Sequence, residues 1–352
     1  MNIRLAKTLS TEDLHNKQKI YDFHCLQDES LYDAAERAGI KLPVSCKNGV
    51  CHICRGQLHS GAVLTGNQAN KVDASSDGST EIMLCKTWPQ SACEIEVKNV
   101  YGPKELPLKK VACQVESIEL SKAHVYQIQL SLPAGKLPEF FPGQYLSINL
   151  PERDDPAYFS IASRPGLRTL ELHIQADPHL ASALEIVQHL QKQQQLNTCV
   201  SISLPFGEAC LDDIPSKSLI LMAAGTGFAQ MKSIIEHLQF IEYKHPVSLY
   251  WAVRKDDDMY LKSLAQIWEK QYDTFHFKPV IADIDDRQGV GHHDQMSDAV
   301  LADHPDLANS LVFVSGSPKL VFSALDTLEE GGLPETQFYS DVLAYAKRSD
   351  FQ

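Results

Sequence analysis

No stretch of this 352-residue chain approaches the roughly 18 consecutive apolar residues that a membrane-crossing helix needs. Residues 1–14 are polar and of mixed charge, without the apolar centre of a secretory leader. A cytoplasmic chain with no membrane span is therefore expected. Positive charge is in deficit: 32 Lys and Arg stand against 45 Asp and Glu, a net charge of −13. That excludes the basic surface on which nucleic-acid binding depends. The deficit is uneven, because residues 1–102 hold 11 basic and 12 acidic side chains, leaving nearly all the excess acid to the remainder. The nine cysteines lack the even, paired spacing of a disulfide framework. Hydrophobic content is ordinary at 43%, and the length exceeds what one core usually organises, so two or three domains are expected.

Four of the cysteines do form a pattern. Cys46, Cys51 and Cys54 are spaced C-x4-C-x2-C, and Cys85 follows thirty residues later. This is the plant-type spacing for four thiolates around a [2Fe–2S] cluster. Three thiolates must converge from one tight loop, and Asn48 and Gly49 suit the left-handed backbone such a loop requires. Zinc is the competing metal, but it favours paired C-x2-C knuckles, and only one occurs here. Cys25, Cys93, Cys113, Cys199 and Cys210 are left over and read as buried, inert thiols.

Around the loop, residues 20–25 alternate as a strand. Ser30 with Asp33 reads as a capping box opening a helix whose apolar stripe is Leu31, Ala34, Ala35 and Ala38, with Gly39 at its end. Short strands are expected over 55–58, 81–84 and 94–97, and a polar surface excursion over 66–80. Residues 101–107, with two prolines, read as a linker. Strand, helix, cysteine loop and strands together resemble the β-grasp ferredoxins, above all the ferredoxin modules of bacterial reductases, where C-K-N-G-x-C is common. Those modules often carry a small residue after the second cysteine. Here it is His52, a larger side chain at the loop tip or a group that tunes the cluster.

From Lys109 onward, strands over 111–115, 125–130, 145–150, 170–174 and 200–204 are separated by turn residues, the pattern of an antiparallel barrel. Three short runs carry more: Phe141-Pro142-Gly143-Gln144-Tyr145, then Tyr158-Phe159-Ser160-Ile161-Ala162-Ser163, then Leu172-His173-Ile174. In this order they resemble the ferredoxin–NADP reductase superfamily. The resemblance implies a flavin site formed by Tyr145, Tyr158, Phe159, Ser160, His173 and Ile174, with the Ser160 hydroxyl near flavin N5. The superfamily arginine that holds the flavin phosphates is Ala157 here, and its G-x-x-S phosphate loop maps onto His179 to Ser182, keeping the serine alone. Losing a guanidinium removes a bidentate phosphate contact, so FAD is expected to be held less firmly and FMN becomes admissible. Arg153 and Arg164 are the nearby candidates to replace it. The run from Pro205 through Gly207, Glu208 and Ala209 to Leu211 looks most like the bacterial NAD(P)H:flavin reductases.

Beyond residue 216, strands over 218–224, 247–253, 274–281 and 311–315 alternate with helices over 228–241, 259–270, 295–302 and 319–330, an α/β sheet with ligands at its strand ends. Gly225-Thr226-Gly227 stands at a strand-to-helix turn, where backbone N–H groups and a helix dipole meet a pyrophosphate. The same superfamily resemblance covers Tyr250 to Arg254, Val314-Ser315-Gly316-Ser317-Pro318 and Tyr339-Ser340-Asp341. It implies dinucleotide contacts from Gly225, Thr226, Gly227 and Gly316, and places Ser315 beside the nicotinamide, where many relatives have cysteine. Gln230 replaces a common proline. Arg254 and Lys255 suit a 2′-phosphate and Asp256-Asp257-Asp258 oppose one, so the charge pattern leans toward NADH over NADPH. His292-His293 has no partner at metal-ligand spacing and reads as a solvated loop.

The expected architecture is multidomain α+β and α/β: a β-grasp ferredoxin domain over 1–102, an antiparallel flavin-binding β-barrel over 106–212 and a Rossmann-like nicotinamide domain over 216–352. This order resembles the reductase components of bacterial oxygenases and of the dehydrase that makes deoxysugars. It implies electron transfer from NADH or NADPH through FAD to a [2Fe–2S] cluster and on to a partner protein, with Ser160 and Ser315 at the reacting centre. Two rivals are a flavin or ferric reductase that releases reduced flavin, and a non-enzymatic redox sensor.

Overall fold

The structure is a computed structural model, and it describes residues 1–8, 19–66, 68–74, 80–151, 155–178, 181–281 and 292–350. The chain divides into two compact units, Met1–Pro107 and Leu108–Gln352.

In the first unit, five strands stand in the order Ile20–His24, Asn2–Lys7, Cys93–Val97, Arg55–Ser60, Thr80–Met83. All neighbours are antiparallel except Asn2–Lys7 with Cys93–Val97, which run parallel. The helix Leu31–Arg37 starts where Ser30 accepts the Asp33 N–H and ends before Gly39, which is left-handed at φ +76°. Its buried stripe, Leu31, Tyr32, Ala34 and Ala35, packs with Ile3, Leu5, Leu58 and Ile95 of the sheet. A second, three-stranded sheet joins Asn70–Asp73, Ala62–Thr65 and Thr87–Pro89. One of its strands falls inside the expected excursion over 66–80, of which residues 67 and 75–79 lie outside the described residues. Glu105, in the expected linker, accepts from Tyr21 Oη at 2.7 Å and Lys19 Nζ at 3.0 Å, which fastens this segment to the sheet.

The second unit contains a six-stranded antiparallel sheet in the order Ala157–Ser160, Tyr145–Asn149, Cys199–Phe206, Lys109–Leu120, Val125–Ser131, Thr169–Gln175. Its two outer strands meet through an Ile161–Leu172 bridge, so the sheet nearly closes. Ile128, Leu130, Leu146, Ile148, Leu172 and Ile202 fill its interior. A five-stranded parallel sheet follows, ordered Phe275–Ile281, Val247–Val253, Ser218–Ala224, Ser310–Ser315, Phe338–Tyr339. Every residue of Val247–Val253 is buried, as expected of a central strand covered on both faces. Helices Phe228–Phe240, Lys262–Gln271, His292–Asp303 and Pro318–Glu330 connect the strands. His292 and His293 open a helix, where the sequence reading had a loop. Among the described residues no helix is long and apolar enough to cross a membrane.

Candidate functional site

The cysteine loop is an irregular segment whose backbone is turned by three left-handed residues: Lys47 at φ +53°, Gly49 at +84° and His52 at +57°. The last value explains why a small residue suits the position after the second cysteine: glycine adopts this conformation freely and histidine does so at a cost. His52 is exposed, with Nδ1 3.7 Å from the Glu81 carboxylate.

The four sulfurs stand in two pairs. Cys54 and Cys85 are 3.1 Å apart and buried. Cys46 accepts the Cys51 N–H at 3.4 Å, and the Cys51 thiol together with the N–H groups of Asn48, Cys51 and Val50 draws the Cys46 thiol down to about 6. Burial and the adjoining Cys54 push Cys85 up to about 11, against the Gly49 N–H. Two thiol pairs backed by inward-facing amides suit a two-iron cluster with two protein ligands per iron. Of the five remaining cysteines, Cys25, Cys93 and Cys113 are buried as expected, but Cys199 is exposed and Cys210 half-buried. Cys199 begins a strand directly after a helix, where the ladder leaves it facing outward.

In the barrel, Tyr145 pairs with Ser160 across neighbouring strands. Its ring stacks on Phe206 at 5.6 Å, and Tyr158 meets both rings edge-on at 5.8 and 5.5 Å. Tyr158 is 54% exposed, so this aromatic cluster presents an uncovered face next to Ser160, a surface suited to a planar ring system. Gly207 lies against it: a Cβ there would reach 2.8 Å from the Tyr145 ring and 2.9 Å from Asp341 Oδ1. Phe159 and Ala157 are half-buried and pack against the barrel core. Ile174 is fully buried in that core, and His173 is bound through both ring nitrogens. Both side chains are thus engaged within the framework. Ser182 is exposed in the first turn of the helix Ala181–Leu196. Arg153, His179 and Leu180 lie outside the described residues. Arg164 stacks 3.9 Å over Phe240 and donates to the Pro165 carbonyl.

At the end of strand Ser218–Ala224 the Gly225-Thr226-Gly227 turn leads into the helix Phe228–Phe240. Gly225 is left-handed at φ +53°, and the Trp251 Nε1–H donates to its carbonyl at 3.0 Å. Gly227 is pressed against the neighbouring strand end, where a Cβ would collide with the Ser315 carbonyl and come 3.0 Å from Ser315 Oγ. Ser315 and the glycine turn, far apart in sequence, thus meet at the strand ends. Gly316 is less tightly placed: a Cβ there would come 2.8 Å from Leu320 Cδ2 and 3.2 Å from the Ala224 Cβ. The Asp256-Asp257-Asp258 run is occupied: Asp256 pairs with Lys262, Asp257 with Lys122 at 2.6 Å, and Asp258 accepts the Lys255 N–H at 3.1 Å. These pairings offset the repulsion that would disfavour a 2′-phosphate, so the acids carry less of the NADH preference than their number suggests.

Residues 14–90 match the 2Fe-2S iron-sulfur cluster binding domain and residues 221–325 the oxidoreductase NAD-binding domain. The reductase component 2 of terephthalate 1,2-dioxygenase from Comamonas sp is 31% identical over 92% of this chain and 94% of its own length. The chain belongs to that reductase family. It carries the module order of the ferredoxin–NADP reductase superfamily with an N-terminal plant-type [2Fe–2S] domain, and it is an NAD(P)H-dependent oxidoreductase that passes electrons through flavin to the cluster. The CDP-6-deoxy-L-threo-D-glycero-4-hexulose-3-dehydrase reductase of Yersinia pestis is 28% identical over 90% of this chain and 94% of its own length. The solved structure of the Amycolatopsis cytochrome P450 reductase GcoB, at 21% identity, covers 96% of this chain and 98% of its own with a TM-score of 0.59, a likeness of fold.

In this reductase three residues quoted within or beside the motifs make contacts that the motifs do not reveal. Gln144 accepts the Phe141 N–H at 2.7 Å and donates to the Gly207 carbonyl at 2.9 Å, binding the first flavin motif to the last barrel turn. Asp341 Oδ1 accepts the N–H groups of Glu208 and Ala209 at 2.9 and 3.1 Å. Gln230 donates to the Ala209 carbonyl at 2.9 Å and to Asp341 Oδ2 at 3.3 Å, contacts that the superfamily proline could not make. Gln230 and Asp341 were visible as departures or motif members, but their partners were not.

A buried ionic group joins the barrel to the helix Phe228–Phe240. Glu171 accepts from His173 Nε2 at 2.6 Å and from Lys232 Nζ at 3.0 Å, and Lys232 also reaches Glu236 at 2.7 Å. Burial opposes ionisation of Glu171, but His173 and Lys232 outweigh it and hold the carboxyl at about 2. Burial likewise lowers His173, against the pull of Glu171. Both folded values are depressed, so both groups stabilise the native state at neutral pH and lose that contribution on acidification. Stability should decline from about pH 6.5 downward as His173 of the unfolded chain takes a proton, and again below about pH 4.5 as Glu171 does. Urea unfolding followed by tryptophan fluorescence between pH 8 and 5 tests this, and a flat midpoint would contradict it.

Proposed function

We propose that this reductase serves a partner protein of the oxygenase or dehydrase class, with three functional segments over 1–102, 106–212 and 216–352. Cys46, Cys51, Cys54 and Cys85 would hold the [2Fe–2S] cluster, and the observation that carries this assignment is the Cys54–Cys85 sulfur contact together with the Cys51 N–H on the Cys46 sulfur. The Tyr145, Tyr158 and Phe206 rings with Ser160 would seat the flavin ring, FAD or FMN. Gly225, Thr226, Gly227 and Gly316 would receive the dinucleotide of NADH or NADPH, with Ser315 beside its nicotinamide. A bound flavin takes a hydride as an electron pair and gives the electrons up singly, which is the conversion that a two-electron donor and a one-electron carrier require.

The residues supply the rest. The Ser160 hydroxyl can both donate and accept, so it suits a ring nitrogen whose protonation changes with redox state. The glycine turn leaves its amides open to phosphate because no side chain covers them. The amides behind Cys46 and Cys85 stabilise thiolates without adding a charged side chain. The decisive measurement is the anaerobic visible spectrum before and after NADH. Flavin and cluster bands should both bleach. Bleaching of the flavin alone would reject the proposed route, and flavin lost on gel filtration would favour the flavin-releasing reading that Ala157 motivates.

A further inference from the structure

The buried network around Glu171 extends to the nicotinamide turn. A carboxylate can only accept, so His173 Nε2 carries the proton that Glu171 receives. The neutral ring then accepts at Nδ1 from Tyr260 Oη, 2.8 Å away. The Tyr260 ring stands edge-on to Trp251 at 5.3 Å and to Phe228 at 6.1 Å, and Trp251 stacks on Phe228 at 4.0 Å and 7°. Trp251 Nε1 donates to the Gly225 carbonyl. An unbroken line of contacts thus runs from the Glu171–His173 pair on a barrel strand to the first glycine of the dinucleotide turn.

We infer that His173 is a positioning residue for the nicotinamide nucleotide: anchored by Glu171 and acting through Tyr260 and Trp251, it fixes the Gly225-Thr226-Gly227 turn relative to the barrel. The inference rests on the proposal that this turn seats the dinucleotide and the barrel seats the flavin. Three features support it. First, the His173 and Lys232 side chains are 0% and 6% exposed, and burying such groups costs more than an apolar filling, so a packing role alone does not account for them. Second, Glu171 and His173 lie two residues apart on one strand and therefore project from the same face, so the strand itself sets their spacing. Third, Gly225 is left-handed and open space surrounds the place of its missing side chain. The Gly225 carbonyl accepts the Phe228 N–H within the turn and the Trp251 Nε1–H from the neighbouring strand, and the Trp251 bond is the one that ties the turn to the network. A hydride passed from a bound nicotinamide to a bound flavin would carry both electrons. Its rate depends on the distance between two groups that the chain holds on separate sheets.

Tyr260→Phe removes one hydroxyl and keeps the ring contacts, and His173→Gln retains a donor for Glu171. In ligand-free protein, amide hydrogen exchange at residues 225–228 should quicken several-fold in both variants. In flavin-loaded protein, anaerobic stopped-flow should show flavin reduction about tenfold slower at saturating NADH. Flavin content should be unchanged, and the long-wavelength charge-transfer band should weaken. Wild-type exchange and wild-type saturating rate in Tyr260→Phe would overturn the inference, whatever becomes of His173→Gln. A wild-type protein that NADH fails to reduce would sink the proposed function instead, and the exchange measurement would still decide the role of His173.

Discussion

Cys85→Ser is expected to abolish electron delivery to a one-electron protein acceptor while leaving reduction of the flavin by NADH intact. Cys85 is buried and its sulfur faces Cys54 at 3.1 Å, so it supplies half of one thiol pair. A serine hydroxyl is a poor, hard ligand for iron and stays protonated at neutral pH. Its burial beside Cys54 also leaves no water to replace the lost bond. Even second-sphere changes around metals cost about 10–100-fold in affinity, so loss of a ligand should exceed that range. The cluster absorbance and the reduced-state paramagnetic signal should disappear, and cytochrome c reduction should fall at least about a hundredfold. Flavin bleaching by NADH should proceed at the wild-type rate, because nothing in the proposed roles of the Leu108–Gln352 unit depends on Cys85. A variant that keeps the cluster spectrum would remove Cys85 from the ligand set.

Gly227→Ala should be the most damaging single-methyl change in the nicotinamide segment. The backbone of Gly227 is ordinary at φ −56°, so the effect is purely steric. The added Cβ meets the Ser315 carbonyl, a backbone atom of the adjacent strand end that cannot rotate aside. Either the turn or the Ser315 peptide must move, and both are assigned to the nucleotide. The efficiency with NADH should fall about a hundredfold or more, with flavin content preserved. Gly225→Ala provides the contrast. There the space is open and only the left-handed backbone is strained, a cost of about 1–2 kcal/mol. Equal losses in the two variants would show that turn conformation, and not the Ser315 contact, dominates.

Much of this was legible in the chain because it depends on local rules. The Ser30 cap, the Gly39 stop, the buried strand at 247–253 and the strand-glycine-helix turn each follow from a few adjacent residues. The cysteine spacing announced the loop, although not its division into two pairs. The missed features depend on distant partners. The strand Asn70–Asp73 is polar and short, and pairs only because Ala62–Thr65 lies beside it. The strand Asn2–Lys7 is short and polar at both ends, and only the alternation of Ile3 and Leu5 marks it in the sequence. His173 is visible as a motif member, but its partners Tyr260 and Glu171, which set its orientation, are not. The acidic run at 256–258 was weighed as free charge, whereas Lys122 and Lys262 meet two of its members.

The bonds from Asp341 to Glu208 and Ala209 span more than 130 residues of sequence. They join the last turn of the barrel to a segment that the ribosome delivers only after the entire parallel sheet. Until then the Glu208 and Ala209 amides lack their acceptor, and Gln144 grips a turn secured from one side only. Completion of the barrel's last turn is therefore tied to a contact of very long sequence separation. Cutting between barrel and parallel sheet to obtain a minimal flavin module would remove the carboxylate on which that module's final turn depends.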